Sequence, residues 1–398
     1  MLPKQKILFI QPSLQPPGGA NTVTTWMLQA LRNEYDITTL TWDAVAVAEI
    51  NRYYGTSLRA RDLESFVVPA FVRFLINRIP KKKNPWDYLR YCVLMRWSRM
   101  VQHRYDLVMS CNGECDFGVR GIQYLHFPHL SENWTKEVRL YQRNRWYFNL
   151  LGYLETCLRP WRLLSGFSFH RMKKNLTLVN SEWTADCLKK TYAAEGRVIY
   201  PPVPGEFPDV SWEERENGFV CIGRISSGKR LEEIIDSLEQ VRQRFPDIHL
   251  HIIGSKVPYD KAYYERVKTK VAEHAAWVFL EENLSRAELI KLVCTHRYGI
   301  HGMEGEHFGI AVAEMVLAGC ITFVPDSGGP MEIVGKTRRL LYHTEAEAVE
   351  NIVHVLQHPD EQQALRNYLA ERKNLFSTEQ FMRQIREVVA EFLRDKQQ

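Results

Sequence analysis

No apolar run in this chain approaches the roughly 20 residues that a membrane-spanning helix needs. The longest, such as Ile7-Leu8-Phe9-Ile10 and Ile252-Ile253-Gly254, are strand-sized. Met1 to Lys6 lead into a strand rather than into the apolar core of a leader peptide, so the expected location is the cytosol. Cysteines stand scattered at 92, 111, 115, 157, 187, 221, 294 and 320, and only Cys111 and Cys115 are close. No second cysteine pair and no histidine pair stands at zinc-site spacing, so buried thiols in a reducing compartment are expected and no metal site is. The sequons starting at Asn133, Asn175 and Asn283 then carry no glycan. Solenoid repeats and low-complexity segments are absent as well, which excludes repeat arrays and disordered scaffolds.

What is present is an alternation. With 398 residues, 45% of them hydrophobic and 25% charged, the chain reads as a soluble globular protein of two or three domains. Strand-like runs at Lys6–Gln11, Ile37–Thr41, Leu107–Ser110, Gly121–His126 and Leu176–Asn180 alternate with helical ones such as Thr22–Arg32. The pattern repeats in the second half, with strands at 219–223, 249–254, 278–280, 298–301 and 321–324 and helices at 230–244, 259–274, 286–293 and 309–317. Strand, helix, strand in this order predicts an α/β fold with two parallel sheets in series and right-handed crossovers. Between them, Val198-Ile-Tyr-Pro201-Pro202-Val-Pro204-Gly205 breaks any regular element and makes a stiff connector. The expected lobes are 1–200 and 201–377.

The densest functional signal is Glu304-Gly-Glu306-His307-Phe308-Gly309-Ile310, followed by Glu314 and, after the next strand, by Ser327-Gly328-Gly329-Pro330-Met-Glu332. Glu306 and Glu314 stand eight residues apart, which on one helix is a little over two turns and about 12 Å of axis. Two carboxylates so placed suit two parts of one long ligand. His307-Phe308-Gly309 reads as the helix start, where unpaired N–H groups and the helix dipole favour an anion. Upstream, Gly223-Arg224-Ile-Ser-Ser-Gly228-Lys229-Arg230 is nearly a P-loop. Arg230, however, stands where a P-loop needs a magnesium-binding hydroxyl, so an NTPase is disfavoured. Arg224 and Lys229 instead suit the two phosphates of a nucleoside diphosphate, Arg as a planar fork and Lys as a mobile charge.

These motifs resemble the Glu-x7-Glu and Ser-Gly-Gly-Pro patterns of retaining nucleotide-sugar glycosyltransferases of family 4. Within that family the wording is most similar to the eukaryotic mannosyltransferases that extend lipid-linked oligosaccharides and to their bacterial relatives. The resemblance spans most of the chain and is most specific in its second half. It implies a GT-B architecture, two Rossmann-like lobes with parallel sheets facing a central cleft, with a last helix at 378–398 packing back on the first lobe. It implies donor contacts from Gly223, Arg224, Lys229, Glu306, His307, Phe308, Gly309, Ile310 and Glu314. Glu314 would take the ribose hydroxyls and Glu306 would face the donor sugar. The N–H groups of Phe308, Gly309 and Ile310 would hold sugar hydroxyls and the distal phosphate, and 278–285 would seat the base, either uracil or guanine. From the first lobe, Gly18 and Gly19 in Pro16-Pro17-Gly18-Gly19-Ala20-Asn21 would approach the donor, and His126 in Tyr124-Leu-His126-Phe-Pro128 would face the sugar. The catalytic set so implied is His126, Arg224, Lys229 and Glu306. His129 is a weaker candidate, and Asn180-Ser181-Glu182-Trp183-Thr184, explicable as a helix cap, is a further element the family shares.

No Asp-x-Asp motif occurs, which removes the usual means of holding a divalent ion on the diphosphate. Charge neutralisation by side chains and a helix dipole is expected instead, with no metal and no cofactor beyond the nucleotide sugar. A net charge of +5 is concentrated in the first lobe. From 73 to 104 the only acid is Asp87, against Arg73, Arg78, Lys81, Lys82, Lys83, Arg90, Arg96, Arg99 and Arg104, interleaved with Phe71, Phe74, Trp86, Tyr88, Tyr91 and Trp97. A second basic and aromatic stretch runs from Arg139 to Lys174. Such stretches suit an anionic membrane surface or a solvated face over core aromatics, and nucleic acid is a poorer fit. The partners expected are a GDP- or UDP-linked sugar and a glycan or lipid-linked acceptor, with docking on the inner face of a membrane. Competing readings are a sugar-nucleotide epimerase of GT-B fold, a storage-glucan phosphorylase or synthase, and a non-catalytic sugar-nucleotide-binding scaffold.

Overall fold

The computed structural model describes residues 3–15, 18–77, 86–128 and 165–397. The chain divides into two compact units, with the change at Pro204/Gly205, and Ser377–Gln398 belonging to the first. Pro16, Pro17, Arg78, Lys81, Lys82, Lys83, His129, Asn133, Cys157 and most of the 139–174 stretch lie outside the described residues.

The first unit holds a seven-stranded parallel sheet in the order β3-β2-β1-β4-β5-β6-β7. Its strands are β1 (Lys6–Ile10), β2 (Asp36–Thr41), β3 (Leu63–Val67), β4 (Leu107–Ser110), β5 (Ile122–Leu125), β6 (Leu176–Val179) and β7 (Arg197–Val198). β1, β4 and β5 are almost wholly buried and read as continuous apolar runs, as strands covered on both faces must. The terminal helix Thr378–Gln397 presents Phe381, Ile385, Val388, Val389 and Phe392 along one stripe. That stripe joins Val23, Met27 and Leu31 of the helix Gly19–Leu31 in one core cluster.

The second unit repeats the device with six strands in the order β10-β9-β8-β11-β12-β13. They are β8 (Glu216–Ile222), β9 (His249–Gly254), β10 (Val278–Glu282), β11 (His296–Ile300), β12 (Ile321–Pro325) and β13 (Leu341–Tyr342). Phe219, Tyr298 and Phe323 stand on three adjacent strands, with ring centroids 5.0 Å and 6.3 Å apart, and fill the space beneath the crossover helices. In each sheet the strand order reverses direction between two neighbours, β1 and β4 in the first and β8 and β11 in the second. A crevice opens outside the carboxyl ends of the strands at such a switch point, and ligands bind there.

The two basic and aromatic stretches divide on inspection. Phe71, Phe74 and Leu75 of the helix Ala70–Asn77 are exposed. Tyr91 is instead buried, Trp97 packs on Phe66, and Arg99 pairs with the buried Asp116, which Arg171 also holds at 2.8 Å. The basic-surface expectation therefore does not hold for Arg99, whose charge is spent inside the first unit, whereas Arg171 reaches Asp116 from the exposed side.

Candidate functional site

The residues of the second unit's site follow the carboxyl ends of its strands: Lys229 after β8, Glu306 after β11, Ser327 to Pro330 after β12 and Arg286 after β10. β8 runs into Gly223-Arg224-Ile225, and Ile225 makes a single parallel bridge to Lys256 beyond β9. A short 3-10 turn, Ser227–Lys229, then brings the chain round. Asp260 ties that turn down, accepting from the Ser227 N–H at 2.7 Å and from its hydroxyl at 2.9 Å. The stem of Lys229 folds back over Gly223, where an added Cβ would stand 3.3 Å from its Cε. Gly302, just past β11, lets the second loop approach as closely, since a Cβ there would meet the Lys229 carbonyl at 2.6 Å. Lys229 is thereby aimed at Glu306, and the two form an ion pair.

Glu306 is not on a helix. The helix begins only at Ile310, with Gly309 at its cap in the left-handed region (φ 96°), so the expectation that both glutamates project from two turns of one helix is corrected. Gly305, also left-handed, turns the chain beforehand, and Glu306 is extended, bridging Gly328. The Ser-Gly-Gly-Pro segment is the clamp for this loop. The Ser327 hydroxyl accepts from the Gly305 N–H at 3.0 Å, and the Gly329 N–H donates to the Glu306 carbonyl at 2.8 Å. A Cβ on Gly328 would lie 2.4 Å from the Glu306 carbonyl oxygen, so only glycine permits the contact. Phe308 is buried edge-on to Phe376 at 5.8 Å, so its side chain anchors the loop and its backbone is what remains for a ligand.

The electrostatics follow from this packing. Burial on its own pushes the Glu306 carboxyl up, but Lys229, then His301 and His307, outweigh it and bring the carboxyl down to about 2. Glu306 is thus an anion, an acceptor of hydrogen bonds and never an acid at neutral pH. His301, the residue after β11, was not singled out from sequence; a lone histidine at a strand end carries no motif. It is buried, and burial together with Lys229 pushes it down to about 3. Its Nε2 has no hydrogen-bond partner and lies 3.8 Å from the Glu306 carboxylate. A neutral imidazole beside a carboxylate makes a polar pair able to grip a hydroxylated ligand.

Glu314, just past the first turn of its helix, is buried and paired with Arg286 of the helix Arg286–Cys294. Burial raises its carboxyl more than Arg286 lowers it. Arg286 was also unforeseen, being a single arginine after an ordinary capping serine. Arg224 is exposed on the first loop and does not join the Lys229–Glu306 pair. Arg230, which barred the P-loop reading, is left-handed (φ 52°) and engages Glu233, Glu304 and Glu345. Its charge is thus used in holding the loop.

The first unit presents a second cluster at its own switch. Gly18 caps the helix after β1, Cys111 follows β4 and His126 follows β5. The Cys111 sulfur lies 3.3 Å from His126 Nε2 and 3.9 Å from the Ala20 carbonyl, so it links the helix start to the histidine. Burial pushes the Cys111 thiol up to about 12, which rules out a thiolate nucleophile. Asn180 donates to the His126 carbonyl at 3.1 Å, while Ser181 caps the next helix through Thr184. Among the described residues, chain neighbours aside, no atom lies within 4 Å of where a Cβ on Gly18 would be.

Residues 205–372 match the family model described as glycosyl transferases group 1. The GDP-Man:Man(3)GlcNAc(2)-PP-Dol alpha-1,2-mannosyltransferase of Candida albicans is 26% identical over 246 residues, covering 54% of this chain. The chain spans 40% of that relative's length. Among solved structures, sucrose-phosphate synthase from Thermosynechococcus elongatus superposes with a TM-score of 0.71 at 15% identity, covering 98% of this chain and 100% of that one. Anabaena Alr3699/HepE in complex with UDP gives 0.67 at 17% identity, covering 97% and 100%. At such identities the likeness concerns the fold, which is GT-B: two Rossmann-like units, each with a parallel sheet.

Proposed function

We propose that this chain, which carries a glycosyl transferases group 1 domain at residues 205–372, transfers mannose from GDP-mannose to a lipid-linked oligosaccharide with retention of anomeric configuration and without a metal ion. The Lys229–Glu306 pair at the β8/β11 switch carries the reading. It joins a cation placed for a departing diphosphate to a fixed anion placed for the sugar. The substrate class is that of the relatives' printed names, which GDP-mannose heads.

In this reading the acceptor hydroxyl oxygen bonds to the anomeric carbon as the bond from that carbon to the diphosphate oxygen breaks. The acceptor's proton passes to the departing phosphate oxygen, and GDP leaves. Lys229 and Arg224 neutralise the charge that grows on the phosphates, in part replacing a metal ion. The first-turn N–H groups of the helix at Ile310 add the helix dipole. Glu306, held ionised, accepts from sugar hydroxyls and stabilises positive charge at the anomeric carbon. Glu314 holds the ribose, exchanging its Arg286 partner for hydroxyls. His126 offers hydrogen bonds to a sugar hydroxyl, and Gly18 and Gly19 at the helix start admit a phosphate or the acceptor, so the arrangement works chiefly by positioning.

The exposed Phe71, Phe74 and Leu75, on a helix carrying Arg73, support docking on an anionic membrane surface, where lipid-linked acceptors reside. No helix among the described residues is long and apolar enough to cross a membrane. The test is product formation from a lipid-linked oligomannose acceptor with GDP-mannose, UDP-glucose or UDP-N-acetylglucosamine, each with and without chelator. Transfer from GDP-mannose in chelator supports the reading, transfer only from a UDP sugar replaces the donor, and loss in chelator removes the metal-free mechanism.

A further inference from the structure

The opposite, amino-terminal edge of the second unit's sheet carries a cluster that plays no part in the transfer site. His249 and His251 alternate on β9 and so share one face. His296 opens β11, and β8 lies between the two strands. Imidazoles from non-adjacent strands meet only if the residue between them has no side chain, and that residue is Gly218, the register partner of His249. A Cβ on Gly218 would stand 2.3 Å from His249 Nε2. Through this opening His249 Nε2 comes within 3.1 Å of His296 Nε2. One ligand nitrogen from each of the three histidines lies within 4.8 Å of the others.

The outer contacts orient the rings. His296 Nδ1–H donates to the Leu292 carbonyl at 2.7 Å, which leaves a bare lone pair on Nε2. His251 Nδ1–H donates to the Glu281 carboxylate at 3.0 Å, which leaves its Nε2 to a ligand. A carbonyl or carboxylate behind an imidazole is how metal-binding histidines are held. Glu216 supplies a fourth donor, its Oε2 3.3 Å from His249 Nε2. Tetrahedral zinc with bonds of about 2.0 to 2.1 Å needs nitrogens about 3.4 Å apart, near the 3.1 Å between His249 and His296 and inside the 4.8 Å that bounds all three. Three imidazoles with one carboxylate suit zinc and its borderline neighbours rather than magnesium or calcium.

The geometry points to a structural site for one zinc-class divalent cation, bound by His249, His251 and His296 with Glu216 in the fourth position, tying β9 to β11 across Gly218. His296 and His301 stand at opposite ends of β11, about 16 Å apart along the strand. The cation therefore braces the unit and leaves the transfer chemistry alone.

The test is titration of untagged, chelator-stripped full-length protein with zinc chloride and separately with magnesium chloride, read by calorimetry and by thermal melting. A second trio, His354, His358 and Glu361, also offers three donors, so the site is read from variants rather than from total zinc. Expected are a zinc-dependent rise in melting temperature, loss of one zinc equivalent in His251→Gln, and about tenfold weaker binding in Glu216→Gln. His251 is partly accessible, so its variant keeps the fold, and unchanged turnover checks this. An unchanged zinc stoichiometry in His251→Gln, no binding by the wild type, or equal binding of magnesium would each overturn the site.

Discussion

The two units have the same topology at their switch points and opposite electrostatic content. At the second unit's carboxyl edge charged side chains stand in pairs: Lys229 with Glu306, Arg286 with Glu314, and Arg230 with three carboxylates. At the first unit's edge stand a glycine pair, a protonated thiol and an imidazole, none of them carrying a permanent charge. In the proposed reading one sheet edge takes a ligand with localised charge, and the other takes hydroxyls. A fold that places crevices at both switches leaves the chemistry of each to a handful of loop residues.

Substitutions should separate the two edges by size of effect. Glu306→Gln removes the fixed anion and is expected to lower kcat about 100- to 1,000-fold, measured at saturating donor. In the wild type its carboxyl is depressed from the usual range to about 2. The stability of the ionised pair is therefore full above about pH 4.5 and lost as pH falls through about 2. Consequently kcat/KM should show no acid limb from Glu306 between about pH 5 and 8, and a limb that Glu306→Gln abolishes would break the assignment.

Gly328→Ala should cost about 2 to 3 kcal/mol in melting experiments, because a left-handed position (φ 87°) and the Glu306 carbonyl both exclude a Cβ. Turnover should fall with it, as the clamp on Glu306 loosens. At the neutral edge, His126→Ala should cost only about tenfold in kcat/KM, the worth of one or two neutral hydrogen bonds. Equal losses at His126 and Glu306 would erase the contrast between the units.

The smallest effect sharpens the comparison by its sign. Burial raises the Glu314 carboxyl, so its ionised form weakens the fold as pH rises through the folded value. Glu314→Gln should therefore hold or raise the melting temperature at pH 7, while KM for the donor rises several-fold. A falling melting temperature with unchanged KM would make Glu314 a purely structural partner of Arg286.

Much of the scaffold was legible because strands buried on both faces are written as apolar runs, as in β1, β4, β8, β9 and β12. β3, with Glu64 and Ser65 exposed at the sheet edge, left no such run, and the two-residue strands β7 and β13 are too short to leave one. At the site, motifs in one stretch of sequence were readable, but residues that meet only in space were not. Arg286 and His301 carry no local signal. His249 and His251 are one residue apart, a spacing that means little until Gly218 admits a third ring from a strand beyond. Glu306 was misplaced for the reason it matters: two left-handed glycines take it off the helix and set it opposite Lys229.

The most direct test is turnover of Lys229→Met at saturating GDP-mannose in the presence of chelator, beside the wild type. If Lys229 neutralises the departing diphosphate, the wild type turns over unimpeded and the variant loses about 100- to 1,000-fold in kcat. Near-normal turnover of the variant, with the wild type silenced by chelator, would contradict the account and give the charge on the phosphates to a metal ion instead.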